Sequence, residues 1–256
     1  MATVQEHLQS LMGARAVEST GSSLGREAFR RLRANRIAVI GASIMLFFVV
    51  VAILAPWLAP HDPRVNTWFD QIRPASIPGP SGDHWFGLDE SGRDELSRII
   101  FGARSSLVIG IVSLAIGAVF GLLLGVLAGG LGGRIDALIM RVTDVLLAVP
   151  SLLLALSVAA VMGQSRTAVM VAVAVPNVPL FARLLRSSML AERQKDYVSA
   201  AVSVGIPRRR LVLGHILPNS VGPMIVQGTL ALATAVIDAA ALSFLGLGSA
   251  DPTVPE

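Results

Sequence analysis

The residues with chemistry to offer are few, and most sit together. Between two long apolar segments, positions 196–218 read DYVSAAVSVGIPRRRLVLGHILP, with Asp196, Tyr197, the triplet Arg208, Arg209 and Arg210, and His215. This is a set for binding rather than for bond cleavage. Tyr197, Ala200 or Ala201, and Val204 recur on one face at helical spacing. Gly205 then offers a left-handed stop, and Pro207 sits where a second helix can begin without wasting a backbone donor. The expected product is a bent pair of short helices, small-faced first and arginine-rich second. On the residues alone, that is an amphipathic connector held in the lipid headgroup layer by its arginines. His84 and Asp89 are the other pair with ligand chemistry, but two ligand types without helical spacing make a weak site, and no metal is expected. No His-Glu-x-x-His occurs, and the single lysine, Lys195, lies between Gln194 and Asp196, so the Gly-Lys-Ser/Thr of a phosphate loop is missing.

The elements that must position these residues are membrane helices. Of 256 residues, 53% are hydrophobic and 15% charged; soluble domains carry charge on roughly a quarter of positions. The length suffices for five or six spans at about 20 apolar residues each. Net charge is +4, almost all of the basic groups being arginine at the ends of apolar runs. That distribution suits topology control, not nucleic-acid binding. The chain has no cysteine, which excludes disulfide and zinc-thiolate chemistry.

In chain order, 1–36 is a polar tail with arginines crowded at its end, expected on the cytoplasmic side. Residues 37–59 form a first transmembrane helix, longer than the apolar core of about 7–15 residues found in a signal peptide. The stretch 60–104 is rich in Pro, Gly and acids and is expected outside, ending in a short amphipathic helix over 95–102. The remaining transmembrane core follows over 105–256. Its second span, 105–129, carries Gly117, Gly121, Gly125 and Gly129 every fourth residue, a stripe that lets another helix approach backbone to backbone; a glycine-lined route is the alternative. The third span, 136–161, should kink at Pro150, and Arg141 and Asp144 are spaced to pair on one face. The fourth, 167–185, is interrupted by Pro176, Asn177 and Pro179, and reads as a bent helix beside a route, with Asn177 a candidate pathway residue. The fifth, 221–245, contains Asp238, an ionisable group within a span and so a functional candidate. The fold class is therefore all-α, a polytopic helical bundle with five spans.

Several motifs resemble the permease subunits of ABC importers. The loop is similar to their cytoplasmic coupling loop, in which an Ala-Ala pair precedes a Gly and a later His-x-Leu-Pro: here Ala200, Ala201, Gly205 and His215-Ile216-Leu217-Pro218, with Ser199 in place of the usual Glu. Ala55 to Pro60, the run from His84 through Asp89 and Asp94 to Arg104, Met140-Arg141 through Asp144 to Pro150-Ser151, and Leu242 to Gly248 resemble the dipeptide, oligopeptide and nickel branch. The resemblance covers about 30–251. The family's usual acid near the end falls at Ala239, one position after Asp238. Relatives continue through a sixth span, so the chain is expected to be shortened or incomplete.

The resemblance implies a non-enzymatic transport subunit of the bacterial inner membrane that binds no cofactor itself. It implies a second, homologous permease, two cytoplasmic ATPase domains holding ATP and Mg, and an external substrate-binding protein. Tyr197, Ala200, Ala201, Gly205, Arg208, Arg209, Arg210, His215 and Pro218 would then form the ATPase-coupling loop. A secondary transporter would show an inverted repeat, which is not evident; a non-transporting assembly or sensor subunit is the other rival. The sequence leaves the substrate open.

Overall fold

In the computed structural model, residues 30, 32–66, 68–72 and 77–248 are described. The tail before residue 30 and the end of the resemblance at Asp251 lie outside them. The chain divides into two compact units, Met1–Phe48 and Val49–Glu256.

The first helix, α1 (Arg36–Leu58), is 23 residues of nearly unbroken apolar sequence. Asn35 starts it, its side-chain oxygen accepting from the backbone N–H groups of Ile37 and Ala38 at 3.1 and 3.3 Å. After a loop containing a 3-10 turn at Phe69–Gln71 comes α2 (Glu95–Leu131), 37 residues without a break. The short helix expected over 95–102 is thus the first turns of α2, because nothing between Ala103 and Ser105 interrupts the helical backbone. At about 1.5 Å per residue α2 reaches roughly 55 Å, well beyond the hydrocarbon thickness of about 30 Å. The surplus suits its N-terminal turns, which carry Glu95, Arg98 and Arg104, charges that are costly within the bilayer.

Helices α3 (Gly133–Ala148) and α4 (Ser151–Met162) replace the single kinked span. They are bent by 94° about Val149 and Pro150. Proline disfavours helical geometry in the residue before it, and Val149 is extended at φ −90°, ψ 131°. The opposite correction applies to α5 (Arg166–Glu192), which stays helical through Pro176 and Pro179. Here tertiary packing overrides the two missing donors: α5 is the most enclosed of the candidate spans, against α2, α3, α4 and the last helix.

The loop elements follow: α6 (Asp196–Ser203), α7 (Arg208–Leu211), a wider π turn over Val212–Ile216, and α8 (Leu217–Ser220). The final helix described is α9 (Gly222–Phe244). Four helices, α1, α2, α5 and α9, are each long and apolar enough to cross a membrane, and five spans result if the bent α3–α4 pair counts as one. Among the described residues there is no strand beyond an isolated bridge between Leu88 and Asp94. The fold is an all-α, multi-pass membrane bundle.

Two apolar clusters hold the bundle. One gathers Ile109, Ala155, Ala159, Val169, Val173, Ala235 and Leu242 from α2, α4, α5 and α9. The other joins Phe181, Leu185 and Met189 of α5 to Val198, Leu211, Val212 and Ile216 of the loop, and to Met224. The loop is therefore rooted in the bundle by its apolar residues.

Candidate functional site

Helix α6 presents two faces. Val198 is buried in the second cluster, while Tyr197, Ser199 and Ala200 are exposed and Ala201 is half-buried. The helix ends on Gly205 at φ +82°. The N–H of Gly205 donates to the Val202 carbonyl at 2.9 Å, and the N–H of Ile206 to the Ala201 carbonyl at 3.1 Å. These are the two bonds of a Schellman cap, which requires a left-handed residue at the glycine position. Ile206 and Ala201, the pair that such a cap brings together, pack against the same cluster. Pro207 is then the extended N-cap of α7, one position before the first helical residue.

The chain from Val212 to Ile216 widens into a π turn, with Val212 and Ile216 buried and His215 half-buried. Such turns are often associated with functional sites. Together α6 and the π turn enclose an open groove of about 460 Å³, lined by Tyr197, Ala200, Ala201, Val204, Ile206, Gly214, His215 and Asn219. Asn219 closes one side, donating to the His215 carbonyl at 2.8 Å. At the rim Val204 is 84% exposed, an apolar side chain offered to whatever seats there. Pro218, from the same motif, is exposed on α8.

The three arginines have different surroundings. Arg208 donates to the carbonyls of Gly130 and Leu131 at 3.0 and 2.6 Å, and Arg193 to Gly130 at 2.7 Å. Two guanidinium groups thus satisfy the open carbonyls at the C-terminus of α2, where the helix dipole favours positive charge. Burial, and then the neighbouring Arg208, pushes Arg193 below the ordinary guanidinium range. Arg209 and Arg210 are exposed. A further tie runs from the Ser188 hydroxyl on α5 to the Ser220 carbonyl at 3.0 Å. The loop is therefore linked by hydrogen bonds to two spans.

The glycine stripe lies between α2 and α5. A Cβ on Gly121 would come within 2.6 Å of the Phe181 Cβ and the Val178 carbonyl oxygen; on Gly117 it would reach the Asn177 Cβ at 2.8 Å. Gly125 and Gly129 meet Leu185 and Met189 in the same way. Asn177 is buried in this seam, and its amide donates to the Val173 carbonyl at 2.9 Å on its own helix. Asp238 is half-buried on α9, with no hydrogen bond or ion pair among the described residues, and Ala239 beside it is buried.

The pairing expected between Arg141 and Asp144 does not form. Asp144 is taken by Arg183, and Asp136 by Arg186, whose guanidinium holds it with two bonds of 2.9 and 2.7 Å. The i, i+3 spacing of Arg183 and Arg186 was the available signal, since it puts both on one side of α5 facing α3. Nor do His84 and Asp89 meet as ligands: Asp89 holds Arg93 and Arg98, while His84 turns to Asp94 and His61.

Comparison with known proteins agrees with this architecture. Residues 121–254 match the family described as binding-protein-dependent transport system inner membrane component, and residues 23–76 match the N-terminal TM domain of oligopeptide transport permease C. The dipeptide transport system permease protein DppC of Alkalihalophilus pseudofirmus is 42% identical over 93% of this chain and 76% of its own length. The probable D,D-dipeptide transport system permease protein DdpC of Escherichia coli K12 is 42% identical over 87% and 73%. The glutathione transport system permease protein GsiD of Escherichia coli O6:K15:H31 is 43% identical over 89% and 74%. The chain belongs to the inner-membrane components of binding-protein-dependent transport systems, as an ABC importer permease subunit of the peptide-permease branch.

Proposed function

We propose that this chain forms half of the translocation pathway of an ATP-driven importer for dipeptides or oligopeptides. A second, homologous permease supplies the other half, two cytoplasmic ATPase domains bind ATP and Mg, and an external binding protein selects the substrate. The chain itself does no bond chemistry. The observation that carries this reading is the loop at 196–218. It offers an open groove lined in part by Ala200, Ala201 and Gly214, and it is tied to α2 through Arg208 and, through Ser220 just beyond it, to α5. A surface that is exposed yet joined to membrane spans suits the transmission of motion.

In this mechanism, closure of the ATPase pair pushes α6. The Schellman cap keeps α6 and α7 at a fixed angle, and the ties to α2 and α5 pass the displacement into the bundle. The spans then rock about a midplane route and expose it alternately to either side. The loop faces the cytoplasm and the segment 60–104 faces outward, in keeping with the arginine asymmetry.

The absence of native cysteine permits a direct test with single cysteines. In the assembled transporter, Val204→Cys is expected to cross-link to the ATPase, whereas Asp70→Cys is labelled in intact cells by an impermeant reagent. Labelling of position 70 only after permeabilisation would invert the topology, and a position 204 that never reaches the ATPase would remove the coupling role.

A further inference from the structure

Beside the start of α2, three side chains from separate parts of the loop region converge. His61 comes from just after α1, His84 from the middle of the loop, and Asp94 is the N-cap of α2. Their ligand atoms, one per residue, all lie within 4.8 Å of one another. Asp94 is 1% exposed and divides its two oxygens between two tasks. Oδ2 accepts from the Ser97 N–H at 2.9 Å and from the Ser97 hydroxyl at 2.7 Å, which fixes the carboxylate. Oδ1 faces both imidazoles, 3.0 Å from His84 Nδ1 and 3.7 Å from His61 Nδ1. Burial works to raise the Asp94 carboxyl, but the hydrogen bonds from Ser97 and His84 outweigh it and hold the group below the ordinary carboxylate range.

The remaining atom has no explanation as a hydrogen-bond cluster. His61 Nδ1 is buried and has no hydrogen-bond partner among the described residues. Its backbone is fixed, since the His61 N–H donates to the Ser97 hydroxyl at 3.1 Å, and Trp68 meets both imidazoles in T-shaped contacts, at 4.8 and 4.5 Å between centroids. A buried imidazole nitrogen facing a carboxylate and a second imidazole is an arrangement of metal ligands. We propose that His61, His84 and Asp94 form a site for a divalent cation of the zinc class.

The donor set suits that class. Two imidazole nitrogens and one carboxylate oxygen select borderline metals over magnesium or calcium, which take oxygen ligands. Zinc bonds of about 2.0–2.1 Å in tetrahedral geometry put ligand atoms about 3.3 Å apart, and the two separations to Asp94 Oδ1 bracket that value. The imidazole pair closes by rotation of His61, the more exposed ring at 27% against 8% for His84. Metal binding would replace the hydrogen bond between His84 Nδ1 and Asp94, with Nδ1 of each histidine offered as the ligand atom. Three protein ligands leave one position for water. The ion would pin the segment after α1 and the middle of the loop to the first turn of α2, at the end of the helix opposite the Arg208 contacts. This inference does not depend on the transport reading.

The test uses the full-length chain purified without a polyhistidine tag, stripped by chelator and dialysed against zinc chloride. The wild type is expected to take up one zinc per chain, to show the visible absorption bands of four-coordinate cobalt when Co²⁺ is substituted, and to melt at higher temperature with zinc. His61→Ala, His84→Ala and Asp94→Asn should each weaken binding at least tenfold, and His215→Ala should not. Asn remains a good helix cap, so Asp94→Asn removes the charge while keeping the start of α2. His61→Ala sacrifices no hydrogen bond of its Nδ1 and should melt as the wild type does without zinc. Zinc uptake by the wild type no greater than by the combined His61→Ala, His84→Ala variant would overturn the proposal, as would equal loss in His215→Ala.

Discussion

Three consecutive arginines end in different environments, and the difference sets what each can do. All three are exposed, but Arg208 alone of them donates to two carbonyls at the end of α2. A charged hydrogen bond contributes about 1.5–3 kcal/mol where it is protected, and less at a surface. Arg208→Ala is therefore expected to lower the unfolding temperature by a few degrees and to loosen the loop, while Arg209→Ala leaves the midpoint unchanged in the same thermal scan. Equal midpoints for the two variants would mean that the α2 contacts contribute nothing. The triplet's charge was legible in the sequence, but its division of labour was not, because the carbonyls that Arg208 reaches lie 77 and 78 positions away. His61 was missed for a similar reason. Its partners are 23 and 33 residues distant along the chain, and nothing in its local pattern marks it. Gly205 was readable, because a glycine after a short amphipathic run has a conformational meaning that the chain alone supplies.

At the scale of elements, periodic signals survived better than punctuation. The four-residue glycine repeat in α2 did mark a face, and that face is closed by α5 at backbone distance. Gly121→Leu should force α2 and α5 apart, an overpacking cost of about 1–3 kcal/mol or more, read as lost yield and a broadened gel-filtration peak. Gly102→Ala on the same helix meets nothing within 4 Å and should be neutral or slightly stabilising. Comparable losses in the two variants would show that helix propensity, not the seam, is being measured. The prolines were harder to read. Pro150 coincides with a 94° bend, yet Pro176 and Pro179 sit inside an unbroken helix. The same ring chemistry gives both outcomes, since the enclosing helices decide whether a lost donor breaks the backbone, and that enclosure is a property of the assembled bundle.

For the whole molecule, class and span number follow from composition and apolar run length, which any bilayer protein must satisfy. The ties between elements needed three dimensions: Asp136 with Arg186, Asp144 with Arg183, and Ser188 with Ser220 join segments 32 to 50 residues apart. In the proposed mechanism these ties supply the rigidity. If the loop transmits ATPase motion, a bulky charge on Ala201 should block the groove, and Gly205→Val should break the Schellman cap at about 1 kcal/mol or more. Both sites lie outside the membrane-spanning helices, so insertion should persist. The decisive measurement is ATP-dependent peptide uptake in vesicles reconstituted with the partner permease, the ATPases and the external binding protein. The account predicts that Ala201→Arg and Gly205→Val each reach the membrane at wild-type levels and abolish uptake together with substrate-stimulated ATP hydrolysis. Uptake at the wild-type rate by both variants would contradict it and leave the loop a membrane-surface connector.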